Sequence, residues 1–255
     1  LVVSKKFDTI EITQKILSCD KVYCVSENLF PIQAQLESYY GIQNISAFAA
    51  EVFSNKQKMD DFCRAIGLGH HVPKSITPTF HNQLDIFEGK EFFTKPDIGT
   101  GSNSFFPKSD QNTPSIEYRR WNNKHHFLDN LSKLDYHNDF FEINKRGIQN
   151  ENFNYMPCKI MAQEYYWSEE PSIGTFGYVK DGKIDSLFYA RTAQVKYGDV
   201  LDFNKNPMEQ HSISKKSDIT KNLAVWSLPA SDVPEEQQKI IHHFVQTVID
   251  KLKVK

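Results

Sequence analysis

Residues 91–104 read EFFTKPDIGTGSNS, and the rest of the chain is best understood outward from them. Glu91–Lys95 is a strand candidate, and Pro96 stops it. Gly99, Thr100, Gly101 and Ser102 follow at once. Glycines let backbone N–H groups approach phosphate oxygens closely, and a lysine at the end of a rigid strand adds a point charge for the same oxygens. The lysine precedes the glycines and no GK[ST] follows, so this is not a Walker loop. No GxGxxG opens a helix, so it is not a dinucleotide fingerprint. An ordinary surface turn fits the same residues.

Upstream, Lys21–Ser26 (KVYCVS) is a short apolar run that predicts a buried parallel strand. Pro31 opens a helix with Ile32, Leu36 and Tyr39–Tyr40 on one face and Gly41 as its stop. A strand and a helix make half of a doubly wound unit. A second helix begins near Ser54, which has capping-box spacing to Gln57. Met59, Phe62, Cys63 and Ile66 form its buried stripe, Gly67 and Gly69 end it, and Pro73 starts an extended segment.

Downstream, residues 108–155 are polar and irregular, and read as an insertion holding a short helix around His126–Leu134. Lys159–Trp167 (KIMAQEYYW) returns to strand composition. Residues 172–180 and 183–195 predict a hairpin around Asp181-Gly182. Residues 199–230 are mixed. The last helix carries N-cap spacing at Asp232 and Glu235 and a wide stripe of Ile240, Ile241, Phe244, Val245, Val248, Ile249 and Leu252.

Composition bounds the function. The chain has 255 residues, 39% of them hydrophobic and 24% charged, so it has the makings of a full core. A net charge of -2 argues against a coat for nucleic acid or an anionic membrane. No apolar run approaches the ~20 residues of a membrane span. Cys19, Cys24, Cys63 and Cys158 form no CxxC pair and read as reduced core thiols, which points to a cytoplasmic protein. The pairs His70–His71, His125–His126 and His242–His243 lack metal-ligand spacing and read as solvated or capping residues. Trp121, Trp167 and Trp226 read as core or rim.

Two further features carry chemistry. Lys56 lies at a helix start, where a cation is unfavourable unless an anion is near, although a solvated lysine beside Lys58 is the plainer reading. Gln163-Glu164-Tyr165-Tyr166, with Glu169-Glu170 close behind, offers a strand edge to a purine and carboxylates to a ribose, or simply a half-buried strand with exposed acids.

In that order the motifs resemble the ATP-grasp superfamily over roughly residues 20–200: Asn55-Lys56 with a Gly69-to-Pro73 ending, Lys95-Pro96 with a GTGS loop, then QEYY with Glu170. Val25–Asn28 (VSEN) resembles the end of the Rossmann-like domain that precedes it in carboxylate–amine ligases and carbamoyl-phosphate-synthase-like proteins. The resemblance implies an α/β chain, α+β in the ATP-grasp part. Residues 1–50 would be a partial Rossmann-like domain and 51–255 an ATP-grasp domain. It implies that Lys56 and Lys95 contact ATP phosphates, and that Gly99, Gly101 and Ser102 close over them. Gln163, Glu164, Tyr165 and Tyr166 would line the adenine hinge, Glu170 would bind ribose, and Arg191 would contact substrate or acyl phosphate. The implied reaction is a magnesium-assisted ligation of a small carboxylate to an amine through an acyl phosphate. A catalytically inactive nucleotide-binding regulatory or scaffold module of the same fold is the alternative. A homodimer through the first domain stays open.

The family holds magnesium on a Glu and a late Glu-x-Asn after the adenine hinge, and no such pair follows Arg191. With Leu1 in place of Met and an end at Lys255, about where those strands would be expected to begin, the chain reads as truncated. Phe141–Gly147 (FEINKRG) resembles the metal motif, but it precedes the hinge. That order argues against Glu142 and Asn144 as ligands unless the arrangement is permuted.

Overall fold

The structure is a computed structural model that describes residues 14, 18, 30–41, 45–98, 119–133, 140–148, 157–166, 172–195, 223–227 and 233–254. Lys21–Ser26, the loop at 99–104 and Glu170 lie outside these residues.

The described chain mixes helices with two antiparallel sheets. Helices α1 (Phe30–Tyr40), α2 (Ala47–Ser54) and α3 (Lys56–Ala65) come first. Strands β1 (Ser75–Ile76), β2 (Phe92–Pro96), β3 (Arg119–Trp121) and β4 (Ile160–Glu164) form a sheet in the order β1-β4-β2-β3. Helices α4 (Lys124–Leu131) and α5 (Phe140–Arg146) lie between β3 and β4 in the chain. Strands β5 (Ser172–Lys180), β6 (Lys183–Val195) and β7 (Leu223–Ser227) form the second sheet in chain order, and α6 (Glu235–Leu252) packs against β6.

The strand alternation of β2 sets the site. Phe92 and Thr94 are buried, and Phe93 and Lys95 take the opposite face. The buried face meets Leu84, Phe87, Trp121, Phe127, Leu131, Phe140, Phe141, Ile160 and Ala162 in one core. Trp121 donates its indole N–H to the Thr94 hydroxyl at 2.7 Å, so the buried threonine is satisfied. Five of these core side chains come from the stretch that composition marks as a polar insertion. Its helices are short, α4 with eight residues and α5 with seven, so each shows too few apolar positions for a clear period.

A second core joins α2 and α3 to the last helix. Ala49, Val52, Cys63 and Leu68 pack with Val248 and Leu252, and Met59, Phe62, Ile66 and Phe244 lie against them. The predicted stripe of α3 therefore faces this core, with Cys63 buried and Met59, Phe62 and Ile66 partly buried. Cys63 is a core thiol, and burial raises its pKa.

Several boundaries differ from expectation. The cap of α3 is Asn55, whose Oδ1 accepts from Lys58 N–H at 2.9 Å. Ser54 instead ends α2 and donates to the Ala50 carbonyl. In α1 the buried positions are Pro31, Ala34 and Glu37, and Tyr39 is 81% exposed. Glu37 is buried because its carboxylate accepts from Gln33 and from the Ile45 amide. α6 starts at Glu235 behind Pro234, without a side-chain cap, because proline at that position ends the preceding extended backbone. Ile240 of its predicted stripe is exposed.

The hairpin forms as predicted. Asp181 (φ 51) and Gly182 (φ 74) make a two-residue turn with both residues left-handed. Gln246 of α6 straps it, accepting from Ile184 N–H and donating to the Gly182 carbonyl.

Gly147 closes α5 at φ +77, and a Cβ there would lie 2.5 Å from Pro157 Cβ. The neighbouring bridge Ile148↔Cys158 leaves the backbone little room to move. Gly147→Ala is expected to destabilise the fold by about 2–4 kcal/mol, from strained backbone and overpacking together. A urea denaturation midpoint checks this.

Candidate active site

The side chains that converge here start from the outer face of β2. In the β2–β4 ladder Phe93 pairs with Gln163 and Lys95 with Met161. Lys95 and Gln163 are thus diagonal neighbours on one face. Lys95 Nζ donates to Gln163 Oε1 at 2.7 Å, across 68 positions of sequence. Gln163 Nε2 in turn donates to Asp60 Oδ2 at 2.9 Å, across 103 positions. Asp60 lies on α3, one turn beyond Lys56. The α3 stripe, the Lys95 strand and the QEYY strand, scattered in sequence, meet at this point.

The start of α3 is tied down by Asp97, which is 3% exposed. Its Oδ2 accepts from Asn55 Nδ2 at 2.9 Å, and its Oδ1 accepts from the Lys159 amide at 2.8 Å. Its carbonyl accepts from the Lys56 amide at 2.7 Å, and its own N–H donates to the Lys159 carbonyl. One aspartate therefore clamps the α2–α3 junction, the end of β2 and the start of β4. It fixes Lys56 beside Lys95, at the point where the chain enters the GTGS loop.

The electrostatics fit an anion. Burial holds the Lys95 ammonium pKa below its ordinary value, and the nearby Lys56 charge lowers it further. Two cations beside a helix N-terminus are mutually unfavourable until an anion joins them. Asp97 shows the opposite shift: burial raises its carboxyl pKa, opposed by its hydrogen bonds and by Lys56.

That shift has a testable sign. Between the ordinary carboxylate range and its raised folded value, the folded chain binds more protons at Asp97 than the unfolded chain does. On this group's account, stability is therefore present below the unfolded pKa and lost as pH rises through the folded value. Asp97→Asn removes that slope. It also sets an amide N–H against Asn55 Nδ2 or the Lys159 N–H, and Asn55 cannot turn because its oxygen caps Lys58. A loss of about 1–3 kcal/mol is expected at neutral pH. Urea midpoints of both proteins across the acid range check the cost and the slope together.

The other predicted residues are placed as follows. Glu164 makes an ion pair with Lys90 at 2.7 Å and accepts from the Tyr166 hydroxyl, and the Lys90 hydrogen bond lowers its pKa. Tyr165 commits its amide to the Glu91 carbonyl at 3.1 Å. Its ring lies under the Arg120 guanidinium at 4.7 Å, and Arg120 grips Glu91 with both carboxylate oxygens in reach. Tyr166 is 69% exposed. Arg191 sits in β6, the central strand of the second sheet, with its side chain outside the described residues. Gly99, Gly101, Ser102 and Glu170 are outside them as well.

Glu142 and Asn144 occupy helix α5, not a strand. Asn144 is fully buried and spends its carboxamide on backbone: it donates to the Pro78 and Ile160 carbonyls and accepts from Ile160 N–H. Glu142 pairs with Lys145 at the surface. Among the described residues no group of three or more His, Cys, Asp or Glu side chains could hold a metal ion. His70 and His71 do approach each other, with ring centroids 3.9 Å apart, because a 3-10 turn brings them together.

Sequence reasoning missed Asp60 and Asp97. Asp60 is four residues past Lys56, the spacing that puts two side chains on one helix face. Asp97 sits between the two features already singled out, Lys95 and the glycines. A shallow groove of about 390 Å³ between β6 and α6, lined by Tyr189, Gln238 and His242 among others, shares no residue with this site.

No protein-family model matches the chain, and no curated protein matches it. Among solved structures it is similar to the crystal structure of D-alanyl-alanine synthetase A from Vibrio cholerae O1 biovar eltor str. N16961, at 12% sequence identity and a TM-score of 0.47. That match covers 86% of this chain and 54% of the other, so the chain spans about half the length of that structure. No helix among the described residues is long and apolar enough to cross a membrane.

Proposed function

We propose that this chain binds ATP between Lys56, Lys95 and the β4 edge, and that it serves an ATP-dependent ligation of a small carboxylate to an amine. The observation that supports this most is the convergence of Lys56, Lys95 and Gln163, which three distant segments bring to one half-buried face.

In this reading Lys56 and Lys95 neutralise phosphate charge, and Gly99, Gly101 and Ser102 supply backbone N–H donors. Gln163, Glu164, Tyr165 and Tyr166 border the adenine, and Glu170 accepts from the ribose hydroxyls. Phosphoryl transfer needs positioning and charge neutralisation more than covalent help from the protein. A carboxylate oxygen of the substrate attacks the γ-phosphorus, the bond to the bridging oxygen breaks, and ADP leaves. The amine then attacks the acyl carbon, inorganic phosphate departs, and the amine proton passes to solvent. Arg191 is the candidate contact for the acyl phosphate. Magnesium would supply further charge neutralisation at the phosphates when bound.

Hydroxylamine trapping tests the reaction. With ATP and a panel of small carboxylates, an active ligase produces hydroxamate and ADP in equal amounts for at least one acid. Nucleotide binding without hydroxamate from any acid would favour the inactive nucleotide-binding module instead.

A further inference from the structure

We infer that Asp60 is a positioning residue for Lys95, acting through the Gln163 carboxamide to aim the Lys95 ammonium at the anion site. The inference rests on the reading of Lys95 as a phosphate contact.

The polarity of the chain of hydrogen bonds carries it. A carboxylate only accepts, and an ammonium only donates. Asp60 Oδ2 therefore demands the NH₂ end of Gln163, at 2.9 Å, and this turns the carboxamide oxygen toward Lys95 Nζ, at 2.7 Å. Without the Asp60 charge the carboxamide loses its orientation, and its NH₂ end can turn against the ammonium. With the charge, one Lys95 N–H is held and the other two are left for an incoming anion.

Asp60 is 8% exposed and Gln163 half-buried, so solvent screens this relay only in part. Among the described residues, Lys56 and Asp60 face Lys95 from α3, and Asp97 lies two residues on, just past the end of β2. β4 presents only neutral Gln163 and Met161 on this face. Asp60 is the group that opposes burial and Lys56, both of which favour the neutral amine.

The test needs no nucleotide. Competitive acetylation with acetic anhydride, read by peptide mass spectrometry across pH, reports how much of each lysine is neutral. In Asp60→Asn, Lys95 should acetylate about 3- to 10-fold faster at pH 8 than in the wild type, with its midpoint moved to lower pH. Exposed Lys183 should be unchanged. An unaltered Lys95 profile overturns the proposal, because a merely structural aspartate would not move it. If Asp60→Asn fails to fold, Gln163→Leu breaks the same link and must give the same shift.

Affinity for a non-hydrolysable ATP analogue should fall about 3- to 10-fold in Asp60→Asn, more steeply as pH rises. A shifted Lys95 profile in a chain whose wild type binds no analogue would leave the relay standing and remove the nucleotide reading.

Discussion

Lys95→Ala is expected to lower the affinity for an ATP analogue roughly 10- to 100-fold, because a charge-assisted hydrogen bond contributes about 1.5–3 kcal/mol. The fold should survive. Lys95 lies on the face of β2 away from the aromatic core, and its only described hydrogen-bond acceptor is Gln163. Burial and the neighbouring Lys56 charge both lower its pKa, so the ammonium adds little to the fold. A melting temperature within a few degrees of wild type, beside the loss of affinity, separates a ligand contact from a structural one. Unchanged affinity would remove Lys95 from the phosphate site.

The largest structural effect is expected from Asn144→Ala. The variant leaves the Ile160 N–H and the carbonyls of Pro78 and Ile160 without their buried partner. At about 1–3 kcal/mol for each orphaned group, partly recovered by relaxation, a loss of about 3–5 kcal/mol follows. That is a large share of a typical domain's stability. Glu142→Gln should leave the urea midpoint unchanged, since Glu142 only pairs with Lys145 at the surface. The contrast between neighbours separates a buried backbone clamp from a metal motif: two ligands would both affect metal affinity, and neither would need to hold the fold.

These expectations show which parts of the molecule the sequence makes legible. Strands and turns with strong local preference were readable: β2 ending at Pro96, the Asp181-Gly182 hairpin, and the Met59-to-Ile66 stripe of α3. Ser54 has capping-box spacing to Gln57, yet the cap is Asn55, a residue type that caps equally well. Only the tertiary contact to Asp97 decides that Asn55 breaks the chain between α2 and α3. The core contribution of Phe127, Phe140 and Phe141 is hidden by the asparagines and histidines around them, on helices too short to show a period. Phe141–Gly147 kept a strand-like motif but folded as a helix, and tertiary packing used its asparagine for backbone satisfaction. In the site, the lysines and QEYY were visible as residue types. Asp60 was not, because its partner is 103 positions away and neutral.

The chain order of the motifs carries more than any motif alone. Lys56, Lys95 and Gln163 meet because an antiparallel ladder and one buried aspartate fix their elements together. A lysine followed by glycines has no such requirement.

The most direct measurement is calorimetric titration of a non-hydrolysable ATP analogue into the wild-type chain, with lysine acetylation followed in the same samples. The account predicts one analogue bound per chain, and protection of Lys56 and Lys95 from acetylation while Lys183 reacts as before. Absence of binding heat, or binding that leaves Lys56 and Lys95 as reactive as in the free protein, would contradict it.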